Sequence, residues 1–151
     1  MKKILLSLVV CFSTLSHADG AYALYDYDQH EYQVSFNAHE VRPIASITKL
    51  FTAITILRSG VDLTEKVRVK ARSAGRFPNG TMVSRHNLMR AMMISSDNRA
   101  AETLAHTYPG GFDAFIQDTN AYIQGRGLIN TRIEEPTGLS KLNVSTATEL
   151  I

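Results

Sequence analysis

The sequence predicts a single α+β domain. Its 151 residues, 44% of them hydrophobic and 20% charged, suffice for one hydrophobic core and leave little room for a second. Two short runs rich in Tyr and Val lie near the start, and farther along apolar residues recur at helical spacing. These observations exclude disorder, a collagen-like chain and a polytopic membrane protein, and they favour one mixed domain that opens with strand pairing.

Residues 1–18 have the pattern of a secretory signal peptide. Lys2 and Lys3 precede an apolar run from Ile4 to Leu15, and Ser16-His17-Ala18 supplies small residues at the first and third positions of a cleavage site. A buried first helix is the alternative interpretation. We expect cleavage after Ala18, export to the periplasm, and a mature domain of residues 19–151.

Charge and cysteine content exclude several classes of function. Without Lys2 and Lys3 the basic residues number 16 − 2 = 14 against 14 acidic ones, so the mature chain is neutral and nucleic acid is not an expected partner. Cys11 leaves with the signal, which excludes a disulfide framework or a thiol nucleophile. The histidines form no metal-ligand spacing, so we expect no metal and no cofactor.

The elements follow in order along the chain. Tyr22–Tyr27 and Glu31–Phe36 flank Asp28-Gln29-His30 and predict a hairpin. A mostly buried helix is expected to start near Ser46 and stop at Gly60. Farther on, the patterns predict a strand over Val67–Val69, a loop over Arg76–Thr81, a helix capped by Ser84, helices over Ala100–His106 and Phe112–Gly125, a loop over Glu134–Val144, and a last helix capped by Ser145.

Ser46 and Lys49 form the first candidate pair for chemistry. At this spacing on a helix both side chains project from one face, with Cβ atoms about 5–6 Å apart. A lysine whose pKa is lowered by burial can take the proton of a serine hydroxyl and make it a nucleophile. The alternative is an N-cap serine beside a surface lysine.

Ser96-Asp97-Asn98 falls in the short break between two predicted helices. Ser96 offers a second hydroxyl that can relay a proton, and Asn98 offers a donor and an acceptor for an amide substrate. Capping of the following helix is the alternative, because Ser, Asp and Asn are preferred caps.

The two motifs together resemble those of a known family. Ser46-Ile47-Thr48-Lys49 and Ser96-Asp97-Asn98 match the S-x-x-K and S-D-N motifs of penicillin-binding proteins and class A β-lactamases. With the flanking segments, which are Arg42-Pro43-Ile44-Ala45, Tyr108-Pro109-Gly110-Gly111 and Glu135-Pro136-Thr137-Gly138-Leu139-Ser140, the chain from Ala21 to Ile151 resembles the D-alanyl-D-alanine carboxypeptidase family of low-molecular-mass penicillin-binding proteins, and within it the endopeptidase branch.

The resemblance implies a β-lactamase/transpeptidase-like (penicillin-binding) fold and a serine D-Ala-D-Ala carboxypeptidase or endopeptidase. Its substrates would be peptidoglycan stem peptides, and β-lactam antibiotics would acylate the same serine. The roles implied are Ser46 as nucleophile, Lys49 as general base, Ser96 as proton relay and Asn98 as a substrate-binding residue.

The family's third motif, Lys-Thr-Gly, does not occur in the 151 residues. We therefore expect residues 19–151 to be the N-terminal part of the catalytic domain, incomplete at the C-terminus. Two alternatives stay open on the sequence: an inactive remnant that only binds peptidoglycan or a partner, and, less favoured, a β-lactamase.

Overall fold

The structure is a computed structural model that describes residues 20–151. The predicted signal peptide and Cys11 lie outside these residues. In the part of the chain that is described, no helix is both long and apolar enough to cross a membrane.

An antiparallel hairpin opens the fold, as predicted. β1 (Tyr22–Asp26) pairs with β2 (Glu31–Phe36), and the register shifts after Leu24. The Asp26 carboxylate accepts the backbone N–H groups of Asp28 and Gln29 at 2.8 and 3.0 Å, which fixes the turn. All six residues of β2 are exposed, including Phe36, so the hairpin stands outside the core.

Helices and short strands alternate after the hairpin. Three two-stranded antiparallel sheets are formed within residues 20–151, and they pair β1 with β2, β3 with β6, and β4 with β5. The further elements are β3 (Arg42–Pro43), a 3-10 turn (Ala45–Ile47), α1 (Thr48–Arg58), β4 (Lys66–Arg68), β5 (Met82–Ser84), α2 (Arg85–Ser95), α3 (Asn98–His106), α4 (Gly111–Gly125) and β6 (Val144–Ser145).

The main hydrophobic core lies among the four helices and the β4–β5 sheet. Ile56 of α1, Leu88 of α2, Leu104 of α3 and Phe115 of α4 are fully buried there. Burial of such side chains contributes about 1.5–3 kcal/mol each. A second cluster joins Ile44, Phe51, Ile123 and Ile133, and it fixes the start of α1 against the end of α4.

Two helices begin at side-chain caps. The predicted cap at Ser84 is confirmed, whereas the helix predicted over Ala100–His106 begins two residues earlier, after Asp97. Ser84 accepts the N–H of Asn87 at 3.2 Å and begins α2, and Asp97 accepts the N–H of Ala100 at 2.9 Å and begins α3. In both cases the side chain satisfies one of the free N–H groups of a first helical turn. The capping interpretation of the second motif is therefore right for Asp97.

The predicted last helix is wrong. Ser145 lies in β6, pairs with Arg42, and its hydroxyl is 2.7 Å from that of Thr131. The capping contact falls one residue later, where Thr146 accepts the N–H of Glu149 at 3.2 Å, and residues 147–150 form turns. Pairing with β3, a contact distant in sequence, takes Ser145 away from the cap position.

Candidate active site

Three of the predicted site residues meet in one chain of hydrogen bonds. The Lys49 ammonium donates to the Ser46 hydroxyl at 3.1 Å, and the Ser96 hydroxyl donates to the same oxygen at 3.0 Å. Ser46 and Ser96 are 50 residues apart and both are exposed. The Ser46 oxygen is therefore open to a ligand while two potential proton carriers lie within hydrogen-bond reach.

Lys49 is buried, which rules out the alternative of a surface lysine. Lys49 is only 3% exposed, and its ammonium also donates to the backbone carbonyl of Thr137 at 2.6 Å. Burial lowers the pKa of Lys49 from its ordinary 10.5, against the opposing charges of Glu135 and Asp97. Desolvation penalises the charged form, so burial shifts Lys49 toward the neutral amine that a general base needs.

Ser46 lies in the 3-10 turn before α1, one residue before Ile47, which occupies the N-cap position of α1. Neither this turn nor α1 has a side-chain cap, so the N-cap alternative for Ser46 is wrong. Its neighbour Ala45 has a φ of +44°, a conformation that costs about 1–3 kcal/mol for a residue with a side chain. The backbone is therefore strained directly before the candidate nucleophile.

Ser96 lies between α2 and α3 in a left-handed conformation, with a φ of +53°. Asp97 fixes the segment that follows, because its carboxylate accepts N–H groups from Ala100 at 2.9 Å and from Arg76 at 2.6 Å. Asn98, predicted to lie in the break, is the first residue of α3. Within residues 20–151 the Asn98 side chain forms no hydrogen bond, which leaves its amide available to a ligand.

The segment from Glu135 to Asn143 forms one wall of the site. The Glu135 carboxylate accepts the N–H groups of Thr137 at 2.7 Å, Gly138 at 2.6 Å and Ser140 at 3.2 Å. The Asn143 amide donates to the same carboxylate at 2.8 Å. These contacts curl the segment so that the Thr137 carbonyl faces Lys49.

Two further contacts attach this wall to α1. The Asn143 amide donates to the hydroxyl of Thr48 at 3.1 Å, and the hydroxyl of Thr52 donates to the Pro136 carbonyl at 2.8 Å. Sequence reasoning assigned no role to Glu135, Asn143 or the Thr137 carbonyl. The available signal was a run of polar and turn-forming residues within a segment already noted for its resemblance.

Glu135→Gln is expected to lower the free energy of unfolding by about 2 kcal/mol or more, because an amide offers one acceptor oxygen where the carboxylate offers two. The matched control is Glu134→Gln, which removes only a surface ion pair with Arg132 and is expected to cost about 1 kcal/mol or less. Urea unfolding of both variants measures the difference. Equal losses would show that the Glu135 contacts do not hold the wall.

Metal chemistry has no candidate site in the described part of the chain. Among residues 20–151, no group of three His, Cys, Asp or Glu side chains is placed to hold a metal ion.

Comparison with solved structures defines the class of fold. Penicillin binding protein 5 from Haemophilus influenzae superposes with a TM-score of 0.76 at 26% identity, over 86% of this chain and 42% of that one. Penicillin-Binding Protein D2 from Listeria monocytogenes, in its ampicillin-bound form, gives 0.75 at 29% identity, over 86% of this chain and 57% of that one. The chain has the penicillin-binding fold, of mixed helix and strand content.

Sequence comparison gives the family. The sequence model of the D-alanyl-D-alanine carboxypeptidases, the S11 peptidases, matches residues 10–151, and the chain belongs to this family. The D-alanyl-D-alanine endopeptidase of Escherichia coli (strain K12) is 41% identical over 140 residues, which are 88% of this chain and 45% of that protein. The chain thus spans about half the length of the curated relatives it matches. The predicted family and its endopeptidase branch are confirmed.

Proposed function

We propose that the protein is a serine-type D-Ala-D-Ala carboxypeptidase or endopeptidase that acts on peptidoglycan stem peptides through an acyl-enzyme on Ser46. The observation that carries the proposal is the hydrogen-bonded chain from Lys49 through Ser46 to Ser96. It supplies a nucleophile, a buried amine of lowered pKa and a second hydroxyl at distances suited to proton transfer.

Acylation replaces the C–N bond of the substrate with an ester bond to Ser46 and transfers one proton from Ser46 to the leaving amine. Lys49 takes the proton of Ser46 as the serine oxygen bonds to the carbonyl carbon of D-alanine. The C–N bond then breaks, and the proton passes from Lys49 to the Ser96 hydroxyl and from Ser96 to the leaving amine, because the Ser46 oxygen is now bonded to the acyl carbon and holds no proton. Asn98 holds the amide of the substrate on the acyl side.

Deacylation reverses the proton path with water in place of the amine. Lys49, neutral again, takes a proton from the water that attacks the ester carbonyl. The ester C–O bond breaks, and Ser46 recovers its proton from Lys49. Because the same amine accepts a proton in both halves, its pKa controls both rates.

β-Lactam antibiotics are proposed to acylate the same serine, since they present a strained amide to the same nucleophile. The Listeria monocytogenes structure in its ampicillin-bound form, which shares this fold at 29% identity, supports this expectation. The family relation supports the substrate class, because its members are D-alanyl-D-alanine carboxypeptidases.

Intact-mass spectrometry after incubation with penicillin tests the proposal. We expect one adduct per protein molecule, located on the peptide that contains Ser46 and lost in Ser46→Ala. A folded wild type without an adduct, or an adduct that persists in Ser46→Ala, would contradict it. An adduct that hydrolyses rapidly, together with fast nitrocefin turnover, would instead indicate a β-lactamase.

Export to the periplasm is proposed from residues 1–18, whose two lysines, apolar run and small residues at the cleavage site are typical of a signal peptide. The same spectra test it on protein taken from the periplasm. We expect a chain that begins at Asp19 and holds 151 − 18 = 133 residues. A chain that retains Met1 would contradict cleavage.

A further inference from the structure

Two arginines line a groove that also includes Ser95, the residue before Ser96. The groove has a volume of about 240 Å³ and lies between the loop that precedes β5 and the helix α2. Arg76 and Arg90 are among its lining residues, and Ser95, which directly precedes Ser96, is another. Phe77 and Ile94 contribute apolar surface, so the groove joins cationic and apolar walls.

The charged side chains that line this groove are all positive. None of its lining residues is acidic, and among the ion pairs of residues 20–151 neither Arg76 nor Arg90 takes part. Arg85, near them in sequence, does not belong to this surface. It is buried, and its guanidinium donates to Glu65 at 3.2 Å and to Thr107 at 2.9 Å. Arg76 and Arg90 are thus exposed cations that form no ion pair within residues 20–151.

The position of the groove points to the leaving side of the reaction. Under the proposed function, Ser96 gives the proton to the leaving amine, so the leaving group lies next to Ser96. Adjacent Cα atoms are about 3.8 Å apart, and an extended peptide advances about 3.3–3.6 Å per residue. Ser95, which lines the groove, is one residue from the proton donor, so a leaving peptide that continues beyond its amine has the groove within reach.

We infer that this groove binds a carboxylate of the leaving peptide when the bond cleaved is a peptide cross-link. The inference rests on the proposed function and deepens it. A single D-alanine, the leaving group of a carboxypeptidase, ends before the groove. The second stem peptide released from a cross-link extends into it and carries carboxylates that an arginine can hold through paired N–H donors.

Binding without turnover provides the direct test. The probes are two fluorescein-labelled tripeptide amines that differ only in a D-glutamate or a D-glutamine, titrated against the Ser46→Ala protein by fluorescence anisotropy. We expect the acidic probe to bind about tenfold more tightly at low salt, since two partly solvated ion pairs contribute about this much together. The preference should shrink at high salt.

Variants assign the preference to the groove. In the double variant that carries Arg76→Ala and Arg90→Ala, the two probes should bind with equal affinity. Arg72 is exposed and does not line the groove, so Arg72→Ala should retain the preference for the acidic probe. A tenfold preference that survives the double change, or that Arg72→Ala also removes, would overturn the inference. So would equal binding of the two probes to the parent protein.

Failure of the proposed function gives a different result. It would appear as a wild-type protein that forms no penicillin adduct on Ser46, whatever the probes do. If adduct formation succeeds, cleavage extends the test: the ratio of kcat/KM for a substrate with an acidic leaving peptide to that for its amidated twin should fall to about one in the double variant.

Discussion

Lys49→Met is expected to slow acylation of Ser46 by penicillin about 10³-fold or more, because positioned bases typically contribute 10²–10⁴-fold. Lys49→Arg should slow acylation by a similar factor. A guanidinium can still donate to the Thr137 carbonyl, but it keeps its proton at every working pH and cannot take that of Ser46. Time-resolved intact-mass spectrometry measures both rates.

The matched control is Lys70→Met, which removes an exposed lysine and should leave the rate of adduct formation unchanged. An arginine variant as fast as the wild type would show that Lys49 acts only through its charge. That outcome would remove it as the base and leave the hydrogen bond to Ser46 without a catalytic role.

The pH dependence follows from the lowered pKa of Lys49. The rate of acylation should rise with pH as Lys49 loses its proton and then reach a plateau. The midpoint of this rise should lie below pH 10.5. Between the folded-state pKa and 10.5, the unfolded chain holds more protons on Lys49 than the folded protein, so the free energy of unfolding rises with pH in that window. Lys49→Met should lack this part of the rise when urea unfolding of both proteins is compared across that range.

The local parts of the site were predictable because spacing on a helix fixes which side chains meet. Ser46 and Lys49 are three residues apart, and their hydrogen bond confirms the pairing. The Thr137 carbonyl, 88 residues from Lys49, gave no such signal. A backbone carbonyl has no side-chain identity, so its role depends on tertiary packing that no local pattern reports.

The burial of α1 shows the same limit. The sequence predicts a mostly buried helix here, but Leu50 and Leu57 are about half exposed. Thr52 and Thr55 are buried instead, because their hydroxyls find partners in the Pro136 carbonyl and in Thr119 at 2.8 and 2.9 Å. Burial of a polar group depends on a distant partner, and a hydrophobic pattern does not contain that information.

At Gly138 the backbone of the wall lies close to the backbone beside Ser46. Its φ of +87° lies in the left-handed region. A Cβ at this position would overlap the carbonyl group of Ala45 and lie 2.9 Å from the backbone nitrogen of Ser46. The wall formed by residues 135–143 can therefore approach the nucleophile this closely only because position 138 has no side chain.

Gly138→Ala is accordingly expected to lower the free energy of unfolding by about 3 kcal/mol or more and to abolish detectable penicillin adduct, since either the wall or Ser46 must move. Gly127→Ala is the matched control, with a φ of +75° and no heavy atom within 4 Å of the added Cβ. It carries the same backbone penalty without the overlap, so it should cost only about 1 kcal/mol and retain the adduct. If the two variants lose stability equally, backbone strain alone explains Gly138. If Gly138→Ala is as unstable as expected yet still acylates at the wild-type rate, the Thr137 carbonyl is not needed to orient Lys49.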